Sequence, residues 1–516
     1  MSHAQDMLVK FDRSAKELAV PPGRGPHLRR WRAFVIFAVI NLAFLCFFAD
    51  RDGYEGDDLN SIVPMFHLEA AKSGSLEIYR YAWQPLSYEI GAQVIKHISP
   101  RAVFLLSPIC AALSLVLLLT LVWRSGSTRE EGVAALVVLL AVPEFWFSGL
   151  YYNSTMVGMP LAVGSLLLVR SEPRVASAAL AGFLVAIAVL MRLDFILICP
   201  ALILIAWRRA TLRFAALFVA VILTVLGFAL YFGLIQPDNI LQIQRTSAAE
   251  IAAKAHSGGW NLRAKLFVVT VLLSPVGWCI LLGAPLVIRD ALKRDVWLTL
   301  LYALALIPLF IPLMAPLSPK YVLPLAVFLP SFLRQCLLAI EAKMPDSLKI
   351  WPLRIAAIGT AILLVVSINL RRPPIFIQFS TFSTRPVGTH DGHRSYGGYV
   401  WEAAQVDRLR PRWHDQLAAD RLLNDFMSSN GPDLVVVGAE NVFTKGAIGW
   451  RHLQLELEQR GIHGILAGPR RIQFNSKYRR ITLLRDLGAE TMKSLDRGKA
   501  IRIIDLGDDQ GETRFD

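Results

Sequence analysis

Asp57 and Asp58 are adjacent carboxylates in Gly56-Asp57-Asp58-Leu59, a few residues past the first long apolar run, and they are the pair best placed in this chain for acid–base work. An apolar slab beside a carboxylate raises its proton affinity or makes it bind a cation, so these acids put chemistry at the boundary of water and lipid. Neighbouring residues cannot share one face of a strand and stand about 100° apart on a helix. One acid can therefore point into a cleft while the other binds a cation or caps the helix that begins near Leu59. The plainer reading is that they only solvate a loop. The surroundings are unusual in sign: Asp50 to Tyr81 carries Asp50, Asp52, Glu55, Asp57, Asp58, Glu69 and Glu77 against Arg51, Lys72 and Arg80, in a chain of net charge +14. His67 lies in the same loop, in range of Asp58 or Glu55 as a ligand or proton shuttle.

The elements that hold this loop are set by composition. With 516 residues, 54% of them hydrophobic and only 18% charged, the chain is too apolar for water and calls for a lipid solvent. The basic residues fall as short clusters between apolar runs, as loops facing anionic lipid require, which excludes nucleic-acid binding. Cys46, Cys110, Cys199, Cys279 and Cys336 all lie inside apolar runs, so they read as small core residues and form no disulfide framework. A basic stretch, Arg24 to Arg32, precedes the first apolar run without a cleavage signal and reads as a retained anchor with a cytoplasmic N-terminal tail, 1–32.

About eleven apolar runs are long enough, or nearly so, to cross a bilayer by the roughly 20-residue criterion. They fall at 33–49, 102–122, 133–149, 154–169, 175–191, 194–207, 214–235, 264–288, 296–314, 321–340 and 355–370. Threaded in alternation, they place Arg124 and Arg129, Arg170 and Arg174, Arg208, Arg209 and Arg213, Arg289, Lys293 and Arg294, and Lys343, Lys349 and Arg354 with the N-terminus. The other side receives the loop 50–101, the turn Tyr151-Tyr152-Asn153, Arg192 to Asp194, the loop 236–263, Lys320 and everything after Arg371. Trp83 to Ile98, with Leu86, Ile90, Val94 and Ile98 at helical spacing, reads as an amphipathic helix lying on the outer surface. After Arg371-Arg372-Pro373-Pro374 the composition turns soluble. Strands are expected at 433–438, 462–467, 478–484 and 499–506, with a helix at 447–460. The fold class is thus an all-α polytopic membrane domain, 33–370, followed by a small extracytoplasmic α/β domain, 371–516.

Taken in order, Gly56-Asp57-Asp58-Leu59, a helix ending Glu69-Ala70-Ala71-Lys72, Trp83-Gln84-Pro85-Leu86-Ser87-Tyr88, Arg101 before the second span, and Ser318-Pro319-Lys320-Tyr321-Val322-Leu323-Pro324-Leu325 form a set. The set resembles the GT-C integral-membrane glycosyltransferases, most closely the family 39 branch of protein O-mannosyltransferases and the lipid A aminoarabinose transferase. The resemblance covers roughly residues 30 to 370. It implies an inverting enzyme of a bacterial-type inner membrane with an outward-facing site, which moves a sugar from a polyprenyl-phosphate-linked donor to a lipid, glycan or protein acceptor. The family's catalytic or metal-associated acid maps to Asp57, its second acid to Asp58, and its basic-Tyr-x-x-Pro element to Lys320 and Tyr321. This chain has Asp-Asp where the family often has Asp-Glu, and Gln84 where a lysine commonly precedes the Pro-Leu segment.

Sugar transfer from a lipid phosphate needs a base for the acceptor hydroxyl and positive charge on the leaving phosphate, both at interface depth. Asp57 is the base and Asp58 its positioner or the ligand of a divalent cation, the one candidate cofactor. Arg80, Arg192, Arg245 and Lys320 are the cations available to clamp the phosphate, and Arg192 with Asp194 at the head of a span is costly unless paired or functional. Tyr152 belongs to an aromatic group, with Phe145, Trp146, Phe147 and Tyr151, that either stacks on a sugar or forms an interfacial belt. Two rival classes stand beside this reading: a transporter or flippase for a lipid-linked saccharide, and a non-catalytic assembly protein acting through the C-terminal domain.

Overall fold

The computed structural model describes residues 65–72, 81–124, 152–170, 174–209, 211–241, 275–314 and 319–348, short segments between 423 and 515, and isolated residues elsewhere. Most described residues are helical. The first helices are α1 (Leu68–Lys72) and α2 (Pro85–His97), then α3 (Leu106–Arg124), α4 (Ser154–Val169), α5 (Val175–Met191), α6 (Cys199–Arg209) and α7 (Leu212–Tyr231). After these come α8 (Pro275–Arg294), α9 (Val296–Met314) and α10 (Leu329–Glu341). Two helices among the described residues, Leu212–Tyr231 and Leu323–Glu341, are long and apolar enough to cross a membrane. The spans expected at 33–49, 133–149 and 355–370 lie outside the described residues, apart from Val39, Ile355 and Ile358.

Local sequence explains where these helices start and stop. Asn153 caps α4, its Oδ1 accepting from the Thr155 amide at 2.9 Å, and Thr211 caps α7 by accepting from the Phe214 amide at 3.2 Å. The second apolar run, expected from 102, divides: a turn over Pro100–Val103 ends before α3 opens at Leu106, with Pro108 in its first turn, where a missing amide hydrogen costs nothing. The run expected to end at 288 continues to Arg294, because nothing in Arg289 to Arg294 breaks a helix. It stops where Asp295 turns to accept from the Trp297 amide at 2.9 Å and opens α9.

Close approach sets the packing. A Cβ on Gly182 of α5 would stand 2.6 Å from the Phe218 carbonyl oxygen of α7, and one on Gly283 of α8 would stand 2.7 Å from Cys336 Cα of α10. Small residues at such crossings let helix backbones touch, which is how helices associate where lipid offers no hydrophobic drive. The main core lies among α3 to α10, with Leu166, Val185, Phe195, Phe218 and Phe332 fully buried. On α7 the other face leaves Leu223, Phe228 and Tyr231 exposed, at 64%, 59% and 83%. Large apolar side chains on the outside of an apolar helix fit a hydrocarbon solvent.

Two expected spans are built partly of 3-10 helix. Leu193–Ile198 is 3-10 and runs into α6, and Pro319–Phe328 is 3-10 and runs into α10. At about 2.0 Å per residue against 1.5 Å for an α-helix, the first pair reaches about 28 Å where an all-α chain would reach about 26 Å. The 14-residue run read at 194–207 thus gains length from both its flanks and its winding.

In the C-terminal part six strands form one mixed sheet in the order β2-β3-β4-β1-β5-β6. They are β1 (Asp433–Val437), β2 (Ile465–Gly468), β3 (Arg471–Asn475), β4 (Arg480–Leu484), β5 (Ile501–Asp505) and β6 (Thr513–Phe515). The central strand β1 pairs in parallel with β4 and β5, and the outer pairings are antiparallel. The Arg480 guanidinium Nε meets Asp433 Oδ2 at 3.1 Å and its backbone amide meets Asp433 Oδ1 at 2.9 Å, which fixes the register of the β1–β4 pair. The four expected strands are observed within a few residues of their expected ends. Sequence reading missed β3 and β6, and of the helix expected at 447–460 only Leu457, Glu458 and the following turn fall among the described residues.

Candidate functional site

Among the described residues a buried polar group is built where four chain segments meet: Tyr81 to Tyr88, the start of α4, the end of α5, and the 3-10 segment after it. Arg192 ends α5 in an extended conformation, φ −162° and ψ 127°, and directs its side chain across the turn. Its Nε donates to Asp194 Oδ2 at 2.5 Å and its Nη1 donates to Ser154 Oγ at 3.3 Å. Both partners of the ion pair are buried, at 7% and 8% exposure. A pair this dry persists only when hydrogen bonds satisfy the rest of it.

Those bonds come from the segment Trp83 to Tyr88. Trp83 Nε1 donates to Asp194 Oδ1 at 3.2 Å, so each carboxylate oxygen receives a different donor. Ser154 Oγ donates to Gln84 Oε1, and Gln84 Nε2 donates to the Tyr88 hydroxyl. Ser87 Oγ and the Tyr152 hydroxyl meet at 2.5 Å. Ser107 Oγ accepts from the Asn153 amide at 2.7 Å. The rings of Tyr81 and Tyr88 stack at 6.1 Å, and Met65, Tyr81, Tyr88, Phe104, Tyr152 and Met191 share one apolar cluster beneath the network. Among the described residues one buried side-chain oxygen has no hydrogen-bond partner, Thr155 Oγ1, at the same end of α4 as Ser154.

A second ionic group lies beside it. Lys72 Nζ reaches Glu89 at 2.8 Å and Glu69 at 3.4 Å, and the Tyr81 hydroxyl donates to the same Glu89 oxygen at 2.9 Å. The hydrogen bond to Glu89 holds the Lys72 ammonium charged to higher pH than usual, and burial together with that acceptor raises the Tyr81 phenol well above its ordinary value. Gln236 Nε2 donates to the Lys72 carbonyl at 3.2 Å, tying α1 to the segment after α7. Burial lowers the His67 imidazole to about 4, so it is neutral at physiological pH.

These contacts gather chain ends that the sequence places on one side: 72 with 236, 83 with 194, 84 with 154, 87 with 152. At the far end of the helices Arg208 pairs with Asp295, two residues read on the opposite side.

The expected site residues fare differently. Arg192 is at the centre, paired with Asp194. Tyr152 is only 2% exposed, packed in the cluster with its hydroxyl on Ser87. His67 is half-buried. Lys320 and Tyr321 are placed by backbone alone, in the 3-10 segment that opens at Pro319. Asp57, Asp58, Glu55, Arg80 and Arg245 lie outside the described residues, as do Phe145 to Tyr151. Among the described residues no group of three metal-ligating side chains comes together. Helix α2 is helical as expected; Pro85, Ser87, Tyr88 and Gly91 are buried, Leu86, Ile90 and Val94 pack against the same cluster as Tyr88, and Ile90, Val94 and the exposed Ile98 also line an open groove of about 370 Å³ with Glu89, Gln93 and His97. Sequence reading missed Trp83, Gln84 and Ser154 as members of the network. Their signal was the polar side chain beside an otherwise apolar boundary.

A search of protein-family models finds none that matches the chain, and no curated protein matches it. Two solved structures of ArnT from Cupriavidus metallidurans are similar to it. The apo-state structure is 14% identical, with a TM-score of 0.49 over 84% of this chain and 85% of that one. The structure bound to undecaprenyl phosphate is 14% identical, with a TM-score of 0.46 over 82% of this chain and 84% of that one.

Proposed function

We propose that this chain is a membrane glycosyltransferase of the GT-C type, which moves a sugar from a polyprenyl-phosphate-linked donor to an acceptor outside the cytoplasm. The observation that carries the reading is the buried Arg192–Asp194 pair, fixed by a hydrogen bond from Trp83 and, through Ser154, by one to Gln84, both of the loop that also holds Asp57 and Asp58. A buried ion pair of this cost at the head of an apolar segment is weak as a stabilising device and strong as a functional one.

In this mechanism Asp57 accepts the proton of the acceptor hydroxyl as its oxygen attacks the anomeric carbon. The bond from that carbon to the carrier's phosphate oxygen breaks on the opposite face, inverting the centre. The phosphate leaves with the electron pair and its charge is met by Arg192, with Lys320, Tyr321, Arg80 and Arg245 as further contacts. Asp58 positions Asp57 or holds a divalent cation, which would supply further positive charge to the donor's phosphate. The sugar-bearing site faces away from the N-terminus, with residues 371–516 on the same side and the protein in an inner or plasma membrane.

The test incubates purified full-length protein with radiolabelled polyprenyl-phosphate sugars and a membrane acceptor fraction, wild type against Asp57→Asn. Label reaches the acceptor with the wild type and falls by about 100-fold or more with Asp57→Asn. Equal transfer by both removes Asp57 from the chemistry, and no transfer from any donor removes the reading.

A further inference from the structure

Trp83 and Gln84 are consecutive, and they hold the two side chains that orient Arg192. Trp83 Nε1 donates to Asp194 Oδ1, while Gln84 Oε1 accepts from Ser154 Oγ. Asp194 and Ser154 in turn take the Arg192 Nε and Nη1 donors. One step of the outer loop thus grips both supports of a single buried cation.

We infer that Asp194 is a positioning residue that sets how strongly Arg192 holds an anionic phosphate ester, and that Trp83 is the contact through which the outer loop adjusts that strength. The identity of the anion as a polyprenyl phosphate rests on the transferase reading. Asp194 fixes the plane of the guanidinium and also neutralises it at 2.5 Å. An arriving phosphate therefore competes with an internal carboxylate for the same charge, which weakens its binding and hastens its departure. A neutral donor on the second carboxylate oxygen draws negative charge away from the Arg192 side, so the Trp83 bond shifts the competition toward the ligand. A loop displaced from this position would lose that bond and leave Asp194 to hold the arginine more fully.

The experiment measures binding of undecaprenyl phosphate to detergent-purified full-length protein, together with kcat and KM for the sugar donor. Asp194→Asn removes the competing charge and is expected to tighten undecaprenyl phosphate binding by about tenfold, with kcat and KM falling together as release slows. Trp83→Phe, which deletes the N–H and keeps the ring, is expected to weaken binding several-fold. A residue that only supports the fold would lower the yield of folded protein and leave the affinity of the remainder unchanged. Folded Asp194→Asn with unchanged or weaker affinity overturns the inference. If that variant does not fold, Trp83→Phe decides, and unchanged affinity there overturns it. A wild-type chain that binds no undecaprenyl phosphate overturns it as well, whereas binding that shifts as expected without any sugar transfer upholds it and removes only the transferase reading.

Discussion

Replacing Arg192 by glutamine separates structural support from chemistry, because the surrounding bonds define what is lost. The substitution strips Asp194 Oδ2 of its charged partner and Ser154 Oγ of a donor, and leaves the Trp83 N–H bonded to the far oxygen of Asp194. Breaking a buried pair by removing one partner costs about 3–5 kcal/mol, and the lost bond from the guanidinium to the Ser154 hydroxyl adds about 1.5 kcal/mol or more. Loss of a cation aimed at charge that develops on the leaving phosphate costs a further 3 kcal/mol or so in the transition state, about 100-fold in kcat. Arg192→Gln combined with Asp194→Asn leaves no unpaired charge at this buried position. The double variant is expected to regain at least 2 kcal/mol of stability over Arg192→Gln alone while its transfer rate stays about 100-fold down. The assays are thermal unfolding in detergent and transfer from a polyprenyl-linked sugar. Recovery of transfer in step with stability would show that Arg192 acts only as a structural strut, and wild-type transfer by Arg192→Gln itself would refute the assignment outright.

Two further outcomes follow from the packing. His67 stays neutral in the folded chain to about pH 4, whereas the unfolded chain takes up its proton near 6.5, so in that window the unfolded state binds more protons and stability falls as pH falls. The expected loss from this group between pH 6.5 and 4 is about 2 kcal/mol after allowance for its partial exposure, and His67→Gln should remove that part of the slope in unfolding measurements across the window; an unchanged slope would contradict it. Gly182→Ala sets a methyl 2.6 Å from the Phe218 carbonyl oxygen and 3.1 Å from Val221 Cβ, so α5 and α7 must separate. The expected cost is about 1–3 kcal/mol, read as a lower unfolding midpoint, and a neutral result would mean that this crossing relaxes freely.

The helices were legible because a bilayer demands long apolar runs and charge at their ends: 154–169, 175–191 and 296–314 coincide with α4, α5 and α9. The runs at 194–207 and 321–340 were placed correctly but not their winding, since hydropathy carries no information on whether a backbone amide bonds three or four residues back. Within the site, Arg192 and Asp194 stood out as charges against an apolar background. Trp83, Gln84 and Ser154 did not, because neutral polar residues at a span boundary are common and their joint use depends on tertiary contact across 70 and 111 positions of sequence. The surroundings of Tyr152 were illegible for the same reason: sequence left a stacking ring and an interfacial belt both open, and its packing with Val157 and its hydroxyl contact with Ser87, 65 positions away, are tertiary. The apolar runs at β1 and β2 were readable as short buried strands and those at β4 and β5 as further strands, whereas β3 and β6 carry more polar residues and left no such run.

The ten-residue 3-10 stretch Pro319–Phe328 acts as a stretched spring in the chain's geometry. Rewinding it as an α-helix would shorten it by about 5 Å with every residue retained, since the two forms differ by about 0.5 Å per residue. With α10 anchored by Cys336 against Gly283, that contraction would fall wholly on the other end. Lys320 and Tyr321 would be drawn about 4 Å toward α10, so the winding of this one stretch sets how far they stand from the rest of the helix.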